Sequence, residues 1–404
     1  MVNKKSYLPL VLSLYINFIF QGIAAIVISQ NLNLYQERWN ASLSQVTLVI
    51  SAIGIGRILS LPFSGYFSDI FGRKKSVLFG IISYIIFFSG LLLAYDYCLV
   101  FITSLAAGFG NAFLDTSTYP TVTEAYPEEK HSTSLSVLNK AFISIGQFIF
   151  PILTGWTISQ KWYFGWILIV CILVLMLNYF LINLMSFPPT GVNPQTKVSV
   201  DVDRMKDNHR IKARFAIEGI CLLVFSFVSV SLFNILVLWI PTFAENFLKV
   251  SKSQSILLVS VYSAASFVSV FLTSFVMSKG MKATTFILVC LGMTILSIGL
   301  MLVLPISQTV IFSSLVIGFF AAGGIWQIGL ALLLELFPEK RGVRTSYYSL
   351  ATAISVAVTP YLTGIMAEHE IRWVFFYQLF LAVIGLIAVA IVNNRYQYAI
   401  KNSN

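Results

Sequence analysis

Two residues of opposite charge stand where an apolar chain has least room for them. Asp115 lies in Gly108-Phe-Gly-Asn-Ala-Phe-Leu-Asp115-Thr-Ser-Thr-Tyr119-Pro120, and Arg57 follows Gly54 and Gly56 in an earlier apolar run, at a similar depth. An ionisable group at bilayer depth is costly and marks a solute path, an ion path or a proton relay. Three chemistries fit the pair. It can be an ion pair that holds two helices together, because a buried charge without a partner would be prohibitive. It can be a proton-linked switch, with Asp115 protonated in one conformer and paired in another. Or Arg57 can be the counter-charge for a solute carboxylate.

Further polar residues recur at helical spacing. Gly108, Asn111, Asp115 and Thr118 fall on one stripe, which suits a water-filled cavity better than lipid. Asn17 and Gln21 share a face of the first apolar run, and Lys140, Ser144 and Gln147 share one in the fifth. Tyr262, Ser266, Ser269 and Thr273 line the eighth, and Ser349, Thr352, Ser355 and Thr359 the eleventh, while Trp326 and Gln327 lie near the middle of the tenth. Such stripes can converge on a central cavity, and Ser and Thr stripes serve equally as contacts between helices. The substrate or proton site is therefore expected among Asp115, Arg57, Asn111, Asn17, Gln21, Lys140, Gln147, Trp326 and Gln327. Glu124 and Glu335 each precede a proline-containing loop and are expected to pair with loop arginines.

The elements that position these residues follow from composition. The chain has 404 residues, of which 57% are hydrophobic and 10% charged, with a mean hydropathy of +0.85. That is too few polar groups for a soluble surface, so the chain is expected to be an integral membrane protein. Its apolar runs last roughly 20 residues, the length of a membrane-crossing helix, which excludes a barrel of alternating strands. The runs fall near residues 8–30, 43–67, 76–95, 98–124, 135–159, 163–186, 214–241, 253–277, 284–304, 307–336, 346–368 and 372–394, giving twelve spans. The first is too long for a signal-peptide core and lacks a small-residue cleavage site, so it reads as an uncleaved span.

Most of the 26 basic residues then fall on one side, which places both termini in the cytoplasm by the positive-inside rule. The net charge of +10 is thus a topology signal rather than a nucleic-acid footprint. A polar interval at 188–212, opened by Pro188, Pro189, Gly191 and Pro194, divides a first bundle, 1–187, from a second, 213–404, and reads as a cytoplasmic linker. The halves repeat in parallel. Glu124-Ala-Tyr-Pro127-Glu128 returns as Glu335-Leu-Phe-Pro338-Glu339, and Pro151-Ile-Leu-Thr-Gly155 returns as Pro360-Tyr-Leu-Thr-Gly364, at almost one offset.

Between spans two and three, Gly65-Tyr-Phe-Ser-Asp69-Ile-Phe-Gly72-Arg73-Lys74-Lys75 resembles the signature loop of the major facilitator superfamily. With the spans and the repeat, the resemblance covers the whole chain. It implies an all-α membrane fold of two pseudo-symmetric six-helix bundles, and a gating loop carried by Gly65, Asp69, Gly72, Arg73 and Lys74. Gly65 permits close helix approach and Gly72 a tight turn, while Asp69 can meet a neighbouring helix N-terminus and Arg73 an acidic group. Ile70 replaces the arginine often found after that aspartate, and the equivalent second loop keeps only Lys279 and Lys282, so the latch would be asymmetric. A narrower resemblance, in Gly108, Gly110, Leu114-Asp115-Thr116 and Pro120, is to the fucose permease branch. There Asp115 takes the place of a sugar-recognising glutamate and Tyr119 that of an asparagine, while Ser29 stands where the branch has its protonatable aspartate.

The expected function is a secondary transporter that imports a small polar metabolite, a sugar or hydroxylated organic acid, by alternating access and proton symport across the cytoplasmic membrane. A proton-driven drug or metabolite exporter of the same superfamily is the alternative, and it would prefer a larger, more apolar cavity. A non-transporting scaffold would not need charges within its spans. The expected partners are a small-molecule substrate, a coupling proton and the lipid bilayer, with no nucleic acid and a functional monomer. No enzyme signature, cofactor motif or metal spacing is read: His131, His209 and His369 are the only histidines, and Cys98, Cys171, Cys221 and Cys290 suit neither a metal site nor a disulfide framework.

Overall fold

The computed structural model describes residues 7–126, 129–189, 214–337, 339 and 341–401, without the side chains of 129–137, 341 and 396–401. Among these residues, twelve helical stretches are long and apolar enough to cross a membrane. In chain order they are Leu8–Ile26, Leu43–Phe71, Arg73–Leu93, Tyr97–Ala125, Leu138–Ser159, Gly165–Leu184, Phe215–Leu248, Lys252–Ser278, Ala283–Val303, Ser307–Leu336, Gly342–His369 and Ile371–Arg395. Helices are the only open-ended elements whose backbone groups are all satisfied within the segment, as hydrocarbon requires.

The spans differ from the apolar runs at their ends, where charge and helix part company. The second continues to Phe71 and the third begins at Arg73, so the loop between them is Gly72 alone. Its φ of 92° is open to glycine and strained for other residues. The first stops at Ile26; a 3-10 turn, Ser29–Asn31, and a short helix, Leu32–Trp39, follow in place of the expected last turn. The tenth is broken between Phe320 and Ile325, with Gly324 at φ 111°. Hydropathy averages over such a break because the interrupted residues are themselves apolar or small. The linker at 188–212 and the Pro127 and Pro338 ends of the repeated Glu-containing motif lie wholly or largely outside the described residues.

The packing repeats between the halves. In the first, span 2 packs on 4, 1 on 5, 3 on 4, and 3 on 6; in the second, 8 packs on 10, 7 on 11, 9 on 10, and 9 on 12. The two halves meet through the equivalent pairs 2 with 11 and 5 with 8. Two six-helix bundles related by pseudo-symmetry is the result.

These inter-bundle seams are tight toward one end. At the start of span 2, Ser42 and Gln45 cap the helix reciprocally, and the Glu368 carboxylate of span 11 accepts from the Ser44 backbone N–H at 2.8 Å. A carboxylate at a helix N-terminus satisfies an orphan donor and meets the positive end of the dipole. One turn on, a Cβ added to Gly364 would overlap Thr47, and the Ser51 hydroxyl accepts from Tyr361 N–H at 3.1 Å. A Cβ on Gly54 would lie 2.3 Å from the Ala357 nitrogen. On the second seam, Ser260 donates to the Phe148 carbonyl at 2.8 Å and Ser144 meets Ser266 at 3.5 Å. Toward the Gly72 end the second span instead exposes Leu59, Phe63 and Tyr66, and the space beside Gly65 and Gly342 is empty. The molecule is thus closed at the end bearing Ser42 and His369. Cysteines introduced by Ser44→Cys and Glu368→Cys, with the exposed Cys98 replaced, are expected to cross-link, and non-reducing gel mobility of the full-length protein checks this closure.

Candidate functional site

Arg57 and Asp115 are brought together by two glycines. A Cβ on Gly56 would sit 2.2 Å from the Leu105 carbonyl oxygen, and one on Gly108 would sit 2.2 Å from that of Ile53. Spans 2 and 4 therefore touch backbone to backbone, one residue before Arg57 and two turns before Asp115. At that separation the Arg57 Nη2 donates to the Asp115 Oδ2 at 2.9 Å. Both side chains keep about a fifth of their surface, 21% and 19%, so the pair borders the interior space and is not sealed in the bundle. The Arg57 Nε is buried and without a hydrogen-bond partner.

The other expected residues separate into two groups. Several are held in contacts between helices. Asn111 accepts from the Tyr84 hydroxyl of span 3. Asn17 accepts from Asn178 of span 6 at 2.9 Å, its own amide turning back to the Ser13 carbonyl, so it is tied into a contact between helices although it shares a helix face with Gln21. Trp326 donates to Thr352 at 2.7 Å and Ser226 at 3.2 Å, and its carbonyl accepts from Tyr348, which docks it between spans 7 and 11. Of the eleventh-span stripe, Ser355 and Thr359 reach Ser231 at 2.7 and 3.2 Å. In the eighth, Ser269 and Thr273 donate to Phe319 and Gly323 carbonyls that the break in span 10 leaves open. These hydroxyls tie helices together, as Ser and Thr stripes in membranes commonly do.

A second group keeps unused hydrogen-bonding capacity. The Oε1 atoms of Gln21 and Gln147 and the Tyr262 hydroxyl are buried and without hydrogen-bond partners. Lys140 is partly exposed, and its ammonium lies over the ring of Phe233 of span 7, 4.9 Å from the centroid. Gln327 is exposed midway along span 10. Phe233, Tyr84, Asn178 and Glu368 were not legible as partners from spacing. Asn178 alone carried a signal, as an amide within the apolar sixth run.

At the Gly72 end, Arg73 is a hub. It donates to Asp69 at 2.6 Å and Ser68 at 2.8 Å, and approaches Glu124 at 3.4 Å. Glu124 thus pairs with a loop arginine of its own half. Asp69 meets Arg73, the first residue of span 3, through its side chain. Lys74 donates to the carbonyls of Asn183 and Met185, capping the sixth span.

Removal of one member of the central pair leaves a charge without its partner. Asp115→Asn is expected to lower the unfolding free energy by about 3 kcal/mol. Arg57→Met combined with Asp115→Leu is expected to recover most of it, and thermal melting in detergent checks the order of the three proteins.

The family model described as Major Facilitator Superfamily matches residues 10–322 and 248–402. Among curated relatives, the inner membrane transport protein YdiM of Escherichia coli (strain K12) is 28% identical over 97% of this chain and 95% of its own length. The MFS-type transporter YfkL of Bacillus subtilis (strain 168) is 30% identical over 95% of this chain and 96% of its own. Among solved structures, a D-xylose-proton symporter superposes with a TM-score of 0.76 at 16% identity, covering 95% of this chain and 97% of that one. The inward open conformation of the xylose transporter XylE from Escherichia coli gives 0.71 at 15% identity, with 95% of each chain covered. A profile that spans nearly the whole chain, relatives matched end to end and a shared twelve-span fold make this multi-pass membrane protein a member of the major facilitator superfamily of transporters.

Proposed function

We propose that the protein imports a small hydrophilic metabolite, a sugar or hydroxylated organic acid, across the cytoplasmic membrane by alternating access and proton symport. The single observation that carries this reading is the Arg57–Asp115 ion pair, formed within the spans yet partly open to the interior. The likeness in fold to a D-xylose-proton symporter supports it. Both termini face the cytoplasm in this reading, the bundles comprise 1–187 and 213–404, the segment 188–212 joins them on the cytoplasmic side, and one chain is the working unit. The closed Ser42 end then faces outward, and the conformer is inward-facing.

The chemistry runs through the pair. In the outward-facing conformer, Asp115 takes a proton from outside and becomes neutral. It then no longer holds Arg57 by charge, and the guanidinium is free to donate to solute oxygens as the solute enters. Rocking of the bundles closes the outer seams, including the Glu368 contact with span 2. Asp115 releases its proton inward and the ion pair re-forms as the solute departs. The gating loop around Gly65, Asp69, Gly72, Arg73 and Lys74 closes the opposite end in the other half of the cycle.

Uptake into proteoliposomes of sugars, polyols and hydroxy acids is expected to rise as the external pH falls below the internal pH. Asp115→Asn is expected to abolish accumulation against a gradient, while exchange of solute for solute continues. Equal fluxes with and without the proton gradient for every solute would remove symport. Outward movement of lipophilic cations would replace import with export.

A further inference from the structure

We infer that the transported solute is a hydroxylated carboxylate anion, and that Lys140 at the seam between the bundles is the group that receives its carboxylate. The inference rests on the transporter reading and narrows its solute class. Arg57 and Asp115 neutralise each other in this conformer. Lys140 stands within the fifth span, and among the described residues no carboxylate forms an ion pair with it; its contact is the Phe233 ring. A lysine within a span requires compensation by a counter-charge, by cation–π contact or by water. The ring supplies part of this from across the bundle interface, since Lys140 belongs to the first half and Phe233 to the second. A solute anion arriving between the bundles would supply the rest.

The acceptors nearby are of the kind hydroxyl groups need. Gln147 lies two turns from Lys140 on the same helix, about 10 Å along its axis at 1.5 Å per residue. Gln21 adjoins Gly22, whose added Cβ would lie 3.3 Å from the Gln147 backbone nitrogen, so spans 1 and 5 approach closely at the level of the two glutamines. Between Lys140 and Gln147, Ser144 touches Ser266, one turn from Tyr262 on span 8. The unpartnered Oε1 atoms of Gln21 and Gln147 and the Tyr262 hydroxyl thus belong to spans 1, 5 and 8, the last two of which meet between the bundles. A buried acceptor without a donor is unfavourable until one arrives. A chain of hydroxyls ending in a carboxylate matches both features; a neutral sugar would leave Lys140 without its anion.

Gluconate tests this, with sorbitol as a neutral polyol of similar size. Counterflow in proteoliposomes, which needs no proton gradient, is expected to show at least a tenfold lower KM for gluconate than for sorbitol. Lys140→Gln is expected to raise the gluconate KM at least tenfold, and Lys140→Arg, which keeps the charge, to stay within a few-fold of the native protein. With one proton per monoanion the cycle is electroneutral, so a potassium diffusion potential imposed with valinomycin is expected to leave gluconate uptake unchanged. Preference for sorbitol, or gluconate uptake indifferent to Lys140→Gln, would overturn the anion assignment while leaving the transporter reading in place. Transport of no solute in the wider panel would remove both. Where Lys140→Gln fails to fold by size-exclusion profile, the gluconate-to-sorbitol ratio of the native protein and the response to potential decide the matter.

Discussion

The bilayer demands that any charge within a span be matched, and the contact between spans 2 and 4 is organised around that demand. Gly56 and Gly108 remove the side chains that would hold the helices apart, and the gap they leave is the one Arg57 and Asp115 bridge. A Cβ at either glycine would have to move a carbonyl oxygen of the facing helix, with direct consequences for the ion pair. Packing and electrostatics are thus a single feature here. The same contact leaves each side chain about one-fifth exposed.

The bundles are built from one packing plan used twice, yet their interiors differ. In the first half, span 4 is continuous past Asp115; in the second, span 10 breaks near the equivalent depth, and hydroxyls of span 8 take the released carbonyls. Charge is placed in one half and backbone irregularity in the other. Both devices place polar groups within the spans and meet them with a partner from another helix, as hydrocarbon requires. The two halves meet along two seams, 2 with 11 and 5 with 8. Their contacts are hydroxyl and single-carboxylate hydrogen bonds joined to small-residue packing, which can part and re-form without stranding a full charge in lipid.

The charges at the two ends have different tasks. At the Gly72 end, Arg73 and Lys74 hold the ends of spans 2, 4 and 6 of the same half, so the loop stiffens one bundle while the seams beside it are open. At the Ser42 end, Glu368 reaches across to the other half and caps its second span. One set of polar contacts is internal to a bundle, and the other crosses between the two.

Twelve spans, the parallel repeat, the Gly72 turn and two charges within spans were legible in the sequence, because each follows from local quantities: run length, offset, a glycine between charges, and an ionisable residue where apolar ones prevail; that the two charges pair came only from the fold. Periodicity could say which residues share a helix face, but not which neighbour that face meets. Asn17 and Gln21 share a spacing, yet span 6 takes the first, while the second keeps a free acceptor. Trp326 looked like a cavity residue and is docked on Thr352 and Ser226. The break in span 10 is invisible to hydropathy because Ala321, Ala322, Gly323 and Gly324 leave the average apolar. Lys140 was a charge without an address until the fold set Phe233 of the other half above it. Sequence determines which groups must be compensated in a membrane; only the tertiary arrangement decides by what, since the compensating partner comes from a helix far away in the chain.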